Sequence, residues 1–402
     1  MTHDRSRPRR PFTLRLLLTA TVGAMVAAFF VACDADPTGD AAPTTTERQS
    51  SAAPSSSGTT TPAPTSETSG PDCAPVIEDM SARQRLAQLV VVGVDPTDPA
   101  AAARLLRNEG VGGIFIGGND TTLFEGGALD TVQEAADLPV SIAVDDEGGR
   151  VQRIDDIVGS IPSAREMARS MTPDEVRALG EKRGRQLRER GVTVNYAPDT
   201  DVSDQPAGSV IGDRAFSADP DVVREYALAF AEGLQAAGVF PVLKHFPGHG
   251  HADGDSHQSL VTTPPLAELR DNDLVPYEDI GDYGQVGVMI GHLNVPGLTG
   301  GAPSSLSADV YRLLRAEYGF DGPVLTDDLG AMRAIADSYS LPEAVLRALQ
   351  AGADQALWSS GGRTGEVLDR LEAALDSGEL PESRVREALA RVLLAKGACE
   401  AG

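Results

Sequence analysis

Residues 244–257 read Lys-His-Phe-Pro-Gly-His-Gly-His-Ala-Asp-Gly-Asp-Ser-His and hold four of the chain's six histidines. Imidazole is the side chain that titrates nearest neutrality, and a carboxylate beside it can orient the ring and set its protonation. Asp255 stands two residues before His257, so the pair is a candidate acid/base unit. The same stretch allows a second chemistry. His245, His249, His251, Asp253, Asp255 and His257 offer the ligand types of a metal cluster, and His-x-His near a barrel strand end is a feature of metal-dependent hydrolases.

These side chains need a scaffold. The apolar run just before Lys244 reads as a buried strand, and the glycines and proline after it shape a loop. Similar β-prone runs recur at 89–94, 113–116, 140–144, 193–197, 240–244, 286–290, 324–326 and 355–358. Most are followed by an amphipathic helical stretch, as at 98–108, 173–190, 221–237 and 308–318, and a helical tail covers 366–394. Eight such repeats predict an α/β fold, a single (β/α)8 TIM-type barrel, with a doubly wound open sheet as the alternative. Continuous apolarity within the runs fits parallel strands buried on both faces. In a barrel, chemistry belongs at the C-terminal ends of the strands. Asp145 follows the third run, Lys244 and His245 end the fifth, His292 follows the sixth and Asp327 the seventh, with Arg214 in the long loop after the fourth.

KHFPGHG followed by DSH, together with VDDEGGRVQR (144–153), GDRAF (212–216), MIGHLNVPG (289–297) and TDDLGAM (326–332), resembles in content and order the signature of glycoside hydrolase family 3, in particular its single-barrel β-N-acetylhexosaminidases. The resemblance implies a retaining mechanism in which Asp327 is the nucleophile. His257, held by Asp255, takes the place of the usual second carboxylic acid. It also implies that Asp145, Arg153, Arg214, Lys244 and His245 hold the sugar, and that neither cofactor nor metal is needed. Asp328 is the competing nucleophile, or a helix cap; the motif favours Asp327. Glu147 and Arg150 read as loop support, His249 as loop scaffold and His292 as pocket lining, while Gly148 and Gly149 let the backbone turn sharply beside the ligand. His251-Ala252 stands where relatives have Asp-Thr, so the hydrogen bonds within that loop are expected to differ.

The expected activity is exo-acting release of non-reducing terminal N-acetylglucosamine from peptidoglycan fragments. A β-glucosidase or xylosidase specificity is the runner-up. A phosphorylase is a third reading, since a neutral histidine repels phosphate less than a carboxylate does. A lipoprotein that binds wall sugar without cutting it would be expected to lack the nucleophile or the acid/base residue, and both are present.

A formal net charge of −25 excludes a nucleic-acid binder, which needs a basic patch. The first 32 residues run against this balance, with five arginines and a single acid. A basic start and an apolar run to Ala32 then give an export signal over 1–32. Phe30-Val31-Ala32-Cys33 resembles a lipobox, making Cys33 a lipid anchor on the outer face of the cytoplasmic membrane. Arg9-Arg10-Pro11-Phe12 resembles a twin-arginine signal, and an uncleaved anchor helix stays open. Residues 33–72 are rich in Thr, Ser, Pro and Ala and read as a tether spanning about 35 Å as a flexible coil. The barrel domain then runs over 73–402 and is expected to act as a monomer. In an exported domain its two cysteines, Cys73 and Cys399, favour a disulfide joining the two ends.

Overall fold

The computed structural model describes residues 72–399. The export segment, Cys33 and nearly all of the tether lie outside them. Eight parallel strands stand where the apolar runs predicted them: β1 (Val90–Val94), β2 (Gly113–Ile116), β3 (Ser141–Val144), β4 (Val194–Asn195), β5 (Phe240–Phe246), β6 (Gly287–Ile290), β7 (Val324–Thr326) and β8 (Ala356–Trp358). From β1 to β7 each pairs with the next in chain order, β1 pairs with β8, and β7 meets the start of β8 through an isolated bridge between Leu325 and Gln355. The ring closes where Gln355 N donates to Val324 O and Thr326 N to Gln355 O, both at 3.1 Å. The open-sheet alternative is thereby set aside.

Alternation along each strand divides the core in two. One set of side chains packs outward against the helices, among them Pro99–Glu109, Pro173–Arg188, Pro220–Ala236 and Leu341–Ala351. The other set fills the barrel axis with one residue per strand or strand end: Val91, Phe115, Ala143, Tyr196, Val242, Met289, Leu325 and Leu357. Phe115 stacks on Tyr196 with ring centroids 5.6 Å apart. This plug makes the barrel solid and gives the upper mouth a floor.

The predicted helical tail is two helices, Thr364–Ser377 and Glu382–Ala395, broken at Gly378, whose φ of 76° ends the first. The helix expected over 308–318 continues from Ala308–Arg312 as a π-helical turn, Leu313–Glu317, which periodicity does not reveal. Cys73 and Cys399 are bonded sulfur to sulfur, with Cα atoms 4.5 Å apart.

Candidate active site

β3 delivers Asp145 to the mouth, and the next peptide is clamped to β4. Asp146 N donates to Asn195 Oδ1 (2.9 Å), and Asn195 Nδ2 donates to Asp146 O (2.8 Å). The buried Asp146 carboxylate accepts from Arg153 N (2.8 Å) and faces the buried Arg183, 3.4 Å from its Nε. The chain then turns at Gly148 and Gly149, with φ of 103° and 56°. A Cβ on Gly148 would lie 2.3 Å from Pro162 O, so only glycine fits there.

β5 delivers Lys244 and His245. Lys244 Nζ lies 2.6 Å from both Asp145 Oδ1 and Glu147 Oε1. Arg214 grips Glu147 with two parallel bonds of 2.8 Å, Nε to Oε2 and Nη2 to Oε1, and its Nη2 lies 3.4 Å from Asp199 Oδ2. Burial works against the charges of Glu147, Lys244 and Arg214, and the pairing sustains them. Arg214 and Lys244 hold the Glu147 carboxyl well below the carboxylate range despite its burial. The Lys244 amine is raised, because Asp145 and Glu147 outweigh its burial. Asp199 moves the other way, pushed up by burial and by Asp201 beside it. Arg153 completes the rim, its Nη2 3.8 Å from Asp145 Oδ2.

Arg150 turns to the loop instead. It donates to the carbonyls of Ala207, Ser209, Val210 and Ile211 and pairs with Asp213 at 2.9 Å, which is loop support. Glu147 does more than that reading allowed, because it is the shared counter-ion of Lys244 and Arg214.

The histidines have separate partners: His245 Nδ1 meets Asp201 Oδ2 (2.7 Å), His249 Nε2 meets Ser256 Oγ (2.9 Å), His251 Nδ1 meets Asp273 Oδ1 (2.9 Å) and His257 Nδ1 meets Asp255 Oδ1 (2.8 Å). The suspected metal cluster is therefore not gathered. Among the described residues the one group of potential ligands within 4.8 Å of each other is Asp199, Asp201 and His245. There His245 Nδ1 already faces Asp201, and Arg214 supplies the positive charge. At His251-Ala252, the His251 ring bonds Asp273 and Ala252 is packed inside.

Asp327 follows β7 and its amide donates to Ile290 O of β6 (2.9 Å). Its Oδ1 accepts from Asp328 N (2.8 Å). Burial opposes its charge, but the flanking His292 and His245 and the Asp328 amide outweigh burial and hold the carboxyl at about 2. Asp328 is engaged elsewhere: its carboxylate accepts from Gly330 N (2.8 Å), Ala331 N and Ser359 N (both 3.1 Å) and from the Ser359 hydroxyl. Both aspartates line the cavity, but Asp328 organises the loop, while Oδ2 of Asp327 makes no hydrogen bond among the described residues. His292 is sealed behind it between Ser305 Oγ (2.7 Å) and Asp328 O (2.9 Å).

One cavity of about 670 Å³ at this mouth is lined by Asp327 and His257 together with Asp145, Arg153, Arg214, Lys244 and His245. His257 is more exposed than Asp145, Arg153, Arg214, Lys244 or His245, with a side chain 64% exposed. Phe115, Tyr196, Met289 and Leu357 of the plug form its floor. A larger cavity of about 950 Å³ lies on the other side of the plug, at the N-terminal strand ends, and is lined by side chains such as Gln133, Gln355 and Lys396. The clustered carboxylates and histidines, rather than size, mark the upper one as the site. Asp199 and Asp201 were missed from the sequence. Their signal was an Asp-x-Asp a few residues past the fourth strand, at the end of the barrel where the chemistry belongs.

A plugged (β/α)8 barrel with a polar, carboxylate- and imidazole-lined cavity at its C-terminal mouth defines a barrel enzyme. The chain belongs to glycosyl hydrolase family 3: residues 81–395 match its N-terminal domain. It is 52% identical over 325 residues to beta-hexosaminidase LpqI of Mycobacterium tuberculosis, covering 79% of this chain and 83% of that one. A solved family 3 glycosyl hydrolase from Mycobacterium smegmatis superposes with a TM-score of 0.78 at 53% identity, covering 80% of this chain and 99% of that chain. A family 3 β-N-acetylglucosaminidase from a Paenibacillus species gives a TM-score of 0.74 at 31% identity, over 79% of this chain and 62% of that one.

Proposed function

We propose that this chain is an exo-acting, retaining β-N-acetylhexosaminidase that removes terminal N-acetylglucosamine from cell-wall fragments. It would work outside the cytoplasmic membrane, tethered through Cys33. The observation that carries the reading is the single cavity lined by both Asp327 and His257. The hexosaminidase and acetylglucosaminidase relatives support the sugar class, and the basic, apolar start of the chain supports export.

In this reading the ionised Asp327 attacks the anomeric carbon. The bond to the departing oxygen breaks as His257 gives that oxygen a proton, leaving a glycosyl ester on Asp327. His257, now neutral and held by Asp255, takes a proton from water as the water attacks the anomeric carbon. The sugar leaves with retained configuration and Asp327 is restored. Asp145, Arg153, Arg214, Lys244 and His245 fix the ring by hydrogen bonds to its hydroxyls and acetamido group, and those bonds tighten in the transition state.

The test compares a chromogenic β-N-acetylglucosaminide with the matching β-glucoside, using wild type and Asp327→Ala, with and without phosphate. The reading expects preference for the acetamido sugar, release independent of phosphate and loss of turnover by orders of magnitude in the variant. Equal turnover by both proteins removes the assignment of Asp327.

A further inference from the structure

Asp199 and Asp201 leave β4 two residues apart, and both are buried. Asp201 has no part in the chemistry above, yet its carboxylate meets three nitrogens from the β5 end and the loop after it. Oδ1 takes the amides of His249 (2.6 Å) and His245 (3.4 Å), and Oδ2 faces His245 Nδ1 at 2.7 Å. Burial raises the Asp201 carboxyl, but the two amides on Oδ1 and the nearby Arg214 favour its ionised form. An ionised carboxylate can only accept at Oδ2, which puts the proton of the third contact on Nδ1. His245 lines the cavity. With Nδ1 spent on Asp201, Nε2 is the nitrogen left to face it, and Nε2 has no hydrogen-bond partner among the described residues.

We infer that Asp201 is a positioning residue: it fixes His245 as the Nδ1–H tautomer and so makes Nε2 a hydrogen-bond acceptor for a hydroxyl of the sugar bound against Asp327. This rests on the glycosidase reading. The logic is that of a buried carboxylate setting the tautomer of a working imidazole. The surroundings agree, since burial and the nearby Arg214 push the His245 ring down to about 4, against the pull of Asp199 and Asp327. The ring is thus neutral in the working range, and a neutral ring protonated on Nδ1 must present a lone pair at Nε2.

Asp201→Asn tests this. The asparagine carbonyl can still accept the His249 amide, which turns its NH2 toward Nδ1. Donor then meets donor unless the ring moves its proton to Nε2. The expected result is a loss in kcat/KM of at least about 100-fold, with a circular dichroism spectrum and melting profile close to wild type. The 15N shifts of the resting protein, with the His245 signals assigned through His245→Gln, should show Nδ1–H in wild type and Nε2–H in the variant. A variant that flips the tautomer but keeps kcat/KM within about threefold overturns the inference. So does a wild-type ring protonated on Nε2. Should the variant not fold, wild type alone decides: Nε2 must be bare, and its 15N signal must move when N-acetylglucosamine is added. The tautomer is read without turnover. A wild type that fails to cleave the chromogenic sugar therefore counts against the glycosidase reading, while the nitrogen shifts judge Asp201 separately.

Discussion

The backbone carbonyl of His257 accepts a hydrogen bond from the amide of Arg333 at 3.3 Å, and that of Ser256 accepts from Ala334 at the same distance. The loop ending at the acid/base candidate is thus stitched to the segment that follows Asp327. Two motifs far apart in the sequence are held over one cavity by main-chain contacts that do not depend on side-chain identity.

His257 is proposed to protonate the departing oxygen, so its removal should matter in proportion to how poor the leaving group is. His257→Ala is expected to lose about 10²–10⁴-fold in kcat/KM on a disaccharide. On a dinitrophenyl glycoside, which departs without a proton, the first step should be nearly unaffected. Equal losses on both substrates would remove the acid role.

Glu147 balances two buried cations, so Glu147→Gln leaves Lys244 and Arg214 under-compensated. A loss of about 3 kcal/mol in unfolding free energy is expected at neutral pH, measured by denaturant titration. The folded-state carboxyl is depressed from an ordinary value of about 4.5. Its contribution is therefore present above that pH and lost as acid protonates the carboxyl. The gap between wild type and variant should narrow below about pH 4.5.

Lys396 lies under the barrel floor, where its amine donates to Gln88 Oε1 and Gly112 O. Among the described residues it has no carboxylate within salt-bridge reach. Burial pushes it from an ordinary 10.5 down to about 7. Between those values the unfolded chain holds a proton that the folded chain does not, so this group makes stability rise with pH across that window. Lys396→Met should show a flatter stability profile from pH 7 to pH 10 than wild type. Parallel profiles would contradict the placement.

The Cys73–Cys399 bond closes a loop of 326 residues in sequence separation, so the unfolded chain loses much freedom when it is made. Replacing both cysteines by serine is expected to lower stability by about 2–5 kcal/mol without altering kcat/KM at low temperature. Two alkylatable thiols in the unreduced native protein would contradict the bond.

The barrel was legible because its strands are short runs of Val, Ile, Leu and Ala buried on both faces, as at Val90–Val94 and Ser141–Val144. A buried parallel strand has no polar side to blur the pattern. Asp145, Lys244, His245 and Asp327 were legible because each stands at a strand end inside a recognisable motif. The rest depended on distance in space. Nothing local says that Glu147 serves both Lys244 and Arg214, that Asp201 meets His245, or that Asp328 rather than Asp327 is consumed by Gly330, Ala331 and Ser359. The π-helical turn at Leu313–Glu317 was hidden for a similar reason, since one extra residue leaves helical periodicity almost unchanged over so short a span.

The most direct measurement is to catch the sugar on the enzyme. Without His257 the second step lacks its base, so His257→Ala mixed with a dinitrophenyl β-N-acetylglucosaminide and quenched in acid should accumulate the glycosyl ester. Digestion and mass spectrometry should then find one N-acetylhexosamine on the peptide containing Asp327, and none once Asp327→Ala is added. Turnover with no adduct, or an adduct on any other carboxylate, would contradict the account.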